Sequence, residues 1–236
     1  MSRPTDKDHT QPEPMFKRRI VTFVKREGRF TEAQKKAFED CWSEFGIDYT
    51  DTTLSLNSLF KNDHPVILEI GFGNGDSLAQ MAIANPDKNY IGIEVHRPGA
   101  GQLLMQIRDK NIQNIRISTH DAIQVVTNQL VDNALSGVQI FFPDPWPKKR
   151  HHKRRIVQPV FMSLLAKKLK PQGFVHLATD WAPYAERMLE VMQSHPDYKN
   201  TVADYIERPE SRPLTKFEQR GLKLGHQIFD LMFEKQ

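Results

Sequence analysis

The chain has 236 residues, 39% of them hydrophobic and 26% charged, with a single cysteine and a formal net charge of +4. This length suffices for one sizeable α/β domain, or two small ones, with a core of its own. One cysteine excludes an intrachain disulfide and a thiolate metal cluster, and it favours a reducing, cytoplasmic location. No apolar run is long enough to span a membrane, and the polar N-terminus lacks the apolar core of a secretory signal.

The first 62 residues are mostly polar and contain one clear helical pattern. Residues 1–15 carry three prolines and no periodicity, which predicts a disordered tail. We interpret the next residues as a short arm with a basic face. Thr31 and Gln34 form a capping-box pattern, apolar residues recur at helical spacing after it, and Gly46 ends the predicted helix. The stretch from there to Asn62 has no clear period and is interpreted as a connector.

From Val66 onward, apolar runs alternate with helical patterns, which predicts a parallel, doubly wound sheet in a single domain spanning 16–236. The last apolar segment alternates strictly and predicts an antiparallel strand. The predicted strands are 66–70, 90–94, 115–119, 138–142, 174–179 and 226–233, the predicted helices are 76–84, 98–110, 121–130 and 183–193, another helix begins near Ile156, and a turn covers 170–173.

Three glycines at alternate positions, Gly71, Gly73 and Gly75, separate the first of these strands from its helix. Glycine lets a backbone approach a ligand closely, and the helix that follows offers free N–H groups at the carboxyl edge of the sheet. A dinucleotide fingerprint requires a different glycine spacing, and Asp76 would lie where a pyrophosphate docks. The loop therefore disfavours a nicotinamide cofactor, although a plain glycine turn stays possible on these residues alone.

Acidic residues surround this loop. Glu69 precedes it, Asp76 follows it, and Glu94 ends the next predicted strand. Carboxylates suit a cationic ligand such as the sulfonium and amino-acid end of S-adenosylmethionine, and an acid at the end of the second strand can accept both ribose hydroxyls. The pattern predicts S-adenosylmethionine as the cofactor.

The fourth predicted strand ends in a proline-rich loop, 143–147, that holds Asp144 between two prolines. Prolines fix the backbone, so the loop resembles a preorganised site more than a simple structural turn. Asp180 follows the fifth strand at the same edge, where it can also cap a helix. Thr215 and Glu218 fit a capping box, so a purely structural role for that segment is a strong alternative. No set of His, Cys and carboxylate residues has metal-ligand spacing.

The positive charge of the chain is concentrated in the eight residues that follow the proline-rich loop. Six of the eight are lysine or arginine, and without them the chain would be slightly acidic. A charge run can be a solvated face or a localisation signal, but this one lies between two predicted core elements, which favours phosphate binding. The basic segment comprises Lys148, Lys149, Arg150, His151, His152, Lys153, Arg154 and Arg155.

Four motifs together resemble the bacterial tRNA (guanine-N7)-methyltransferase family, the TrmB type. The resemblance extends from about Phe16 to the C-terminus, with the motifs in the family's order and spacing. The proline-rich block is highly specific, whereas many methyltransferases share the glycine loop. The motifs are Glu69-Ile70-Gly71-Phe72-Gly73-Asn74-Gly75, Pro143-Asp144-Pro145-Trp146-Pro147-Lys148, Ala178-Thr179-Asp180 and Thr215-Lys216-Phe217-Glu218.

The resemblance implies a class I, Rossmann-like methyltransferase fold, with a seven-stranded, mostly parallel sheet, one antiparallel strand and helices on both faces. It implies a monomer that methylates N7 of guanosine 46 in the tRNA variable loop. It assigns the cofactor to Glu69, Gly71, Gly73, Gly75, Glu94, Asp121 and Asp144, catalysis to Asp144, the guanosine to Lys148, Asp180, Thr215, Lys216, Phe217 and Glu218, and RNA contact to Arg150, His151, His152, Lys153, Arg154 and Arg155.

Three other functions are weighed against this one. A class I methyltransferase for another RNA or a small molecule would share the cofactor motif, but the basic segment favours RNA. A non-catalytic RNA-binding subunit would not need acids at 69, 94, 121 and 144, and a cofactor-binding measurement would separate the two. A nicotinamide enzyme is the most distant alternative, for the reasons given by the glycine loop.

Overall fold

The computed structural model of the protein describes residues 22–23, 28–215, 218–219, 221, 225 and 227–236. The predicted tail, 1–15, and most of the predicted arm lie outside these residues. Within the described part, helices and strands alternate along the chain as the sequence pattern predicts. They are α1 (Glu32–Phe45), α2 (Leu56–Phe60), β1 (Val66–Ile70), α3 (Asp76–Ala84), β2 (Asn89–Ile93), α4 (Arg97–Asp109), β3 (Ile115–Ser118), α5 (Ala122–Gln124), β4 (Leu135–Phe141), α6 (Pro159–Lys168), β5 (Leu169–Thr179), α7 (Ala182–Gln193), β6 (Tyr198–Asn200) and β7 (Phe229–Lys235).

The strands form one seven-stranded sheet in the order β3-β2-β1-β4-β5-β7-β6. Strands β1 to β5 pair in parallel, and β7 runs antiparallel to both of its neighbours. The predicted α/β class, with a mostly parallel seven-stranded sheet and one antiparallel strand, is therefore confirmed. In the part of the chain that is described, no helix has both the length and the apolar character needed to cross a bilayer.

Apolar clusters cover both faces of the sheet, as a parallel sheet requires. On one face, Leu68 packs with Leu165 of α6 and Met188 of α7. On the other face, Ile67 packs with Leu78 of α3 and with residues of α1 and α4. Neighbouring residues of β1 thus point into different clusters, and all five residues of this strand are buried.

Helix α1 begins and ends where the sequence predicts. Thr31 caps it, because the Thr31 hydroxyl accepts from the Gln34 N–H at 3.3 Å and the Gln34 side chain accepts from the Thr31 N–H at 2.9 Å. At the other end, the Gly46 N–H donates to the Trp42 carbonyl at 2.8 Å. The chain then joins the sheet edge, where the Ile47 N–H donates to Ile117 of β3.

The predicted turn at 170–173 lies within β5. Leu135 pairs with Leu169 and Gly137 pairs with Phe174, so the residues between bulge out of the pairing while β4 and β5 stay together on both sides. Gln172 takes a positive φ of 64° in this bulge. The backbone is irregular where the turn is predicted. The residues on both sides of the irregularity pair with β4, so they form one strand and not a turn followed by a strand.

Short elements and helix boundaries differ most from the prediction. The predicted connector contains α2, the edge strand β6 was not predicted, and α6 begins at Pro159, after the predicted start near Ile156. The predicted helix at 121–130 is α-helical only in α5 and continues as a π-helical turn over Val125–Gln129. Helix α2 and strand β6 have only five and three residues, and neither has an apolar run like that of β1, so their sequences show no clear period.

Candidate functional site

Two adjacent cavities lie at the carboxyl edge of the parallel strands, where open α/β sheets bind ligands. The first has a volume of about 370 Å³ and the second about 260 Å³. Gly71, Phe141 and Phe142 contribute to the lining of both. The loops after β1, β2 and β4 therefore meet at one place, as the predicted alternation of strands and helices requires.

The first cavity combines apolar walls with two carboxylates. Glu94 directly follows β2 and Asp144 lies in the loop after β4, so they line the cavity from two neighbouring loops. Thr22 and Phe23, from the N-terminal part of the chain, also line it. The apolar walls come from the ends of three strands and the segments beside them, namely Ile70, Ile93, Val95, Ala122, Ile140 and Ile156.

The glycine loop takes a backbone shape that favours glycine at each of its three positions. Gly71, Gly73 and Gly75 have φ values of 83°, 59° and 74°. At Gly75, a Cβ would also lie 2.7 Å from the Leu103 side chain, so the close packing of the loop on α4 needs the missing side chain. At Gly71 and Gly73 a Cβ would meet no other atom within 4 Å, which leaves the backbone open toward the cavities.

Both carboxylate oxygens of Glu94 accept hydrogen bonds from backbone N–H groups. Its Oε2 accepts from the Gly73 N–H at 2.9 Å, and its Oε1 accepts from the His96 N–H at 2.8 Å. Burial raises the pKa of the Glu94 carboxyl, and these N–H donors oppose the rise. The contact with Gly73 ties the glycine loop to the end of β2, so one carboxylate fixes the loop and faces the first cavity.

Glu69 is the most deeply buried of the acids that line the two cavities, with 3% of its surface exposed. Its Oε2 and the Ser77 hydroxyl oxygen have no hydrogen-bond partner within the described ranges, and both residues line the second cavity. Burial and the nearby Glu94 carboxylate raise the pKa of Glu69 to about 8. Because buried polar atoms are normally paired, two unpaired oxygens beside a cavity indicate a polar ligand, and a cationic one would stabilise ionised Glu69.

The raised pKa of Glu69 predicts a stability effect that can be measured without any ligand. Between pH 4.5 and 8, Glu69 is protonated in the folded protein and ionised in the unfolded chain, so stability falls as the pH rises. Relative to Glu69→Gln, the wild type is expected to lose up to about 1.4 kcal/mol of unfolding free energy per pH unit over this window. Urea unfolding of both proteins from pH 5 to 8.5 measures this difference, and parallel pH profiles would contradict a buried neutral Glu69.

The proline-rich loop contains two bulky residues in left-handed backbone conformations. Phe142 has φ 49° and Trp146 has φ 43°, and each immediately precedes a proline. Such conformations are strained for these residues and occur mostly at functional sites, where the surroundings hold them. Asp144 lies between them, exposed and at the rim of the first cavity. The loop thus presents its carboxylate on a backbone with little freedom.

Most of the basic segment forms a 3-10 helix, Lys149–Arg154, at the surface beside this loop. Lys148, Lys149, Arg150 and Lys153 are exposed. Arg154 stacks its guanidinium 4.4 Å from the centre of the Trp146 ring, which places it against the proline-rich loop. The partly buried His151 and His152 lie between the cations. Burial and the neighbouring cations lower the pKa of His151.

Arg155 occupies a different position from its neighbours, with only 4% of its surface exposed. Its Nε donates to the Pro145 carbonyl at 2.8 Å, and its guanidinium lies 4.6 Å from the centre of the Tyr184 ring. The sequence groups Arg155 with the RNA contacts, but in the structure its side chain connects the proline-rich loop to α7. We therefore leave it out of the proposed RNA surface.

The other predicted site residues are distributed along the same edge. The half-buried Asp121 caps α5, since its Oδ1 accepts from the Ile123 N–H at 2.9 Å, and the next residue lines the first cavity. Asp180 follows β5 and is half-buried. Thr215 lines the second cavity. Glu218 is 1% exposed, and Arg212 occupies both of its carboxylate oxygens. Lys216 and Phe217 lie outside the described residues.

Sequence reasoning did not assign several residues that the structure brings to the site. Phe141 and Phe142 line both cavities, and Ser77 lines the second. The sequence gives little indication of the left-handed backbone at Phe142, since only the proline that follows it restricts the conformation there. Arg212 was not assigned either, because the sequence does not show that one arginine pairs with both Glu218, six residues on, and Asp230, eighteen residues on. Within the described residues, no group of three or more His, Cys, Asp or Glu is placed to hold a metal ion.

Comparisons with known proteins point to one enzyme family. A family model described as "Putative methyltransferase" matches residues 63–231. The chain is 51% identical, over all of its length and 99% of the relative's, to a tRNA (guanine-N(7)-)-methyltransferase of Pseudoalteromonas atlantica. It is 53% identical to the protein of the same name from Klebsiella pneumoniae subsp. pneumoniae, over 92% of each chain.

Solved structures with low sequence identity share the fold. The 30S ribosomal A1408 methyltransferase from an uncultured bacterium superposes with a TM-score of 0.56 at 16% identity, covering 78% of this chain and 98% of that one. The 16S rRNA methyltransferase KamB gives a TM-score of 0.56 at 16% identity, covering 92% and 98%. The glycine loop, the acids around it and the proline-rich loop thus belong to a methyltransferase fold, and the sequence similarity over the whole length shows that the chain belongs to the tRNA (guanine-N7)-methyltransferase family.

Proposed function

We propose that the protein transfers the methyl group of S-adenosylmethionine to N7 of guanosine 46 in the tRNA variable loop, giving 7-methylguanosine and S-adenosylhomocysteine. One observation carries the proposal furthest. Asp144, at the rim of the first cavity, and the exposed cations of the basic segment belong to one continuous stretch of chain, 144–154. A bound phosphate backbone would therefore lie beside the cavity that holds the methyl donor. The names of the relatives support tRNA as the substrate. We propose that the enzyme acts as a monomer in the cytoplasm.

The two cavities fit the two halves of the methyl donor. Apolar walls with Glu94 beside them suit a nucleoside whose ribose hydroxyls need an acceptor. The second cavity, with Glu69, Asp76 and the unpaired Ser77 hydroxyl, suits the polar amino-acid end. Open space at Gly71 and Gly73 lets the backbone approach the ligand. The donor supplies a methyl carbon that is electrophilic because it is bound to a positively charged sulfur.

The acceptor chemistry decides what the protein must supply. Guanine N7 carries a lone pair and no proton, so its attack on the methyl carbon requires no general base. The remaining tasks are to position the purine in line with the methyl group and to stabilise the charge that the purine acquires. A rigid loop with a carboxylate is suited to both tasks, and the strained backbone at Phe142 and Trp146 holds that carboxylate in place.

We propose that Asp144 acts by electrostatics or by holding a purine or cofactor amino group, and not as a proton acceptor. The rate of a single turnover should then show no dependence on the ionisation of an enzymatic base near neutral pH. A rate that rises with a pKa in that range, and loses this dependence in Asp144→Asn, would assign Asp144 to proton transfer instead.

Asp180 is proposed to recognise the guanine edge. A carboxylate can accept from N1–H and N2–H of guanine, whereas adenine offers no such pair of donors. Replacing Asp180 with alanine is expected to reduce discrimination between guanosine and adenosine at the target position by about tenfold to a hundredfold, with a smaller change in cofactor affinity. Competition between two tRNA transcripts that differ at this nucleotide measures the ratio. A defect confined to cofactor binding would contradict the assignment.

The function itself is tested by methyl transfer from labelled S-adenosylmethionine to an unmodified tRNA transcript. After digestion to nucleosides, the label is expected in 7-methylguanosine. Demonstrable cofactor binding without transfer to any tRNA would contradict the proposed substrate and leave a methyltransferase for another acceptor.

A further inference from the structure

A buried ionic network lies behind the site and involves residues that the mechanism above does not use. Arg212, Glu218 and Asp230 are each no more than 2% exposed. Arg212 Nε and Nη2 donate to the two oxygens of Asp230, both at 2.8 Å, while Nη1 and Nη2 donate to the two oxygens of Glu218 at 2.8 and 2.6 Å. One guanidinium thus makes two bidentate pairs, which are strong and directional.

The network is anchored in the sheet through its second carboxylate. Asp230 lies on β7 and shares a 2.7 Å hydrogen bond with His176 of β5. Because β5 and β7 pair along six positions, this end of the network is fixed relative to the parallel strands. Arg212 is therefore held by the sheet on one side and can hold a second segment on the other.

The first element that Arg212 holds is the Thr215–Glu218 capping box. With its carboxylate fixed by Arg212, Glu218 accepts from the Thr215 N–H at 3.1 Å, and its own N–H donates to the Thr215 hydroxyl at 3.1 Å. Thr215 lines the second cavity. The position of this cavity wall thus depends on Glu218, and the position of Glu218 depends on Arg212.

The second element is the start of the proline-rich loop. The guanidinium carbon of Arg212 lies 5.5 Å from the centre of the Phe141 ring and 5.7 Å from that of Phe142. These are cation-π distances, and Phe142 is the strained residue two positions before Asp144. Arg212 therefore contacts both the wall that carries Thr215 and the turn that carries the catalytic loop.

We propose that Arg212 is a positioning residue that sets the Thr215–Glu218 wall and the Phe142–Asp144 turn at a fixed separation, and that Glu218 serves this network instead of binding guanine. The activity measurement for this inference rests on the proposed methyl transfer, whereas the hydrogen-exchange measurement is independent of that function. A misplacement of about 1 Å at a reacting centre can cost about a hundredfold in rate, so the effect on catalysis is large.

The test compares Arg212→Met and Arg212→Lys with the wild type in two measurements. Hydrogen exchange of the Thr215 and Glu218 amides is expected to accelerate about tenfold or more in Arg212→Met, because the capping box loses its fixed carboxylate. The kcat for tRNA methylation is expected to fall about a hundredfold, with a smaller change in cofactor Kd. The kcat of Arg212→Lys should fall nearly as far as that of Arg212→Met, since an ammonium group cannot make two bidentate pairs.

Arg116→Met is the matched control. Arg116 is also buried, and its guanidinium lies 5.2 Å from each of two phenylalanine rings, but it belongs to β3 at the other end of the sheet. Below the melting temperature of the variant, loss of Arg116 should leave the exchange rates of the Thr215 and Glu218 amides and the kcat unchanged. If Arg212→Met does not fold, Arg212→Met/Glu218→Met removes the charge pair together, which buried pairs often tolerate, and the same loss of kcat is expected.

Unchanged amide exchange in Arg212→Met, full kcat despite faster exchange, or near-normal kcat in Arg212→Lys would each overturn the inference. In the double variant, the outcome that would overturn it is a normal kcat. If the wild type itself fails to methylate tRNA while the amides respond as expected, the proposed function is wrong and the structural part of the inference stands.

Discussion

Asp144→Asn is expected to lower the single-turnover rate of methyl transfer by about a hundredfold to a thousandfold. Asparagine keeps the size of the side chain and removes the charge, so the loss reports electrostatic stabilisation of the developing cation more than packing. Asp144 lies at the surface of the strained loop and lines the first cavity. The substitution should therefore leave the fold intact, which a thermal melt checks.

Asp63→Asn is the control for this measurement. Asp63 is exposed and precedes β1, at the opposite edge of the sheet from both cavities, so the same change of charge there should leave the rate unaltered. An Asp144→Asn enzyme with at least a third of the wild-type rate would contradict a charge role for Asp144. A rate loss fully explained by weaker cofactor binding at saturating tRNA would assign Asp144 to the cofactor alone.

Replacing Lys149, Arg150 and Lys153 with glutamine is expected to weaken tRNA binding about a hundredfold at 0.1 M salt. With Arg155 buried, five cations of the basic segment remain to meet phosphates. If all five do so, the wild-type plot of log affinity against log salt should have a slope of about −4. The triple variant should flatten that slope by about 2, because fewer counterions are released on binding.

The matched control removes three exposed lysines elsewhere, in the variant Lys61→Gln/Lys110→Gln/Lys199→Gln. Its net charge equals that of the test variant, so a general electrostatic attraction would weaken both equally. Equal slopes for the two variants would contradict a localised RNA surface at the basic segment. Cofactor affinity should be unchanged in both, since none of these residues lines a cavity.

The regular part of the fold was predictable because local signals mark its elements. The apolar run of β1, the glycines that end it and the capping box at Thr31 each mark an element boundary, and the structure has all three where predicted. β6 was not predictable, because three residues at a sheet edge depend on β7, which lies far along the chain. The continuation of β5 past its bulge also depends on a neighbouring strand and not on local sequence.

The candidate site was predictable at the level of loops and less so at the level of atoms. Glu69, Glu94 and Asp144 were assigned from their positions at the ends of predicted strands, and each of them lines one of the two cavities. Charge alone could not separate Arg155, which is buried against Tyr184, from the exposed cations before it. Nor could a motif show that the carboxylate of Glu218 is engaged by Arg212, because that contact depends on how the later segment packs on the sheet.

If N7 of guanine is the acceptor atom, a tRNA that lacks this atom at the variable-loop position cannot be methylated. A tRNA transcript with 7-deazaguanosine at the variable-loop position has a C–H group in place of the N7 lone pair and keeps the Watson–Crick edge. We expect this tRNA to bind with nearly the affinity of the unmodified transcript and to accept no methyl group. Methyl transfer to the 7-deaza tRNA at a rate near that of the unmodified tRNA would show that the methyl group goes to another atom.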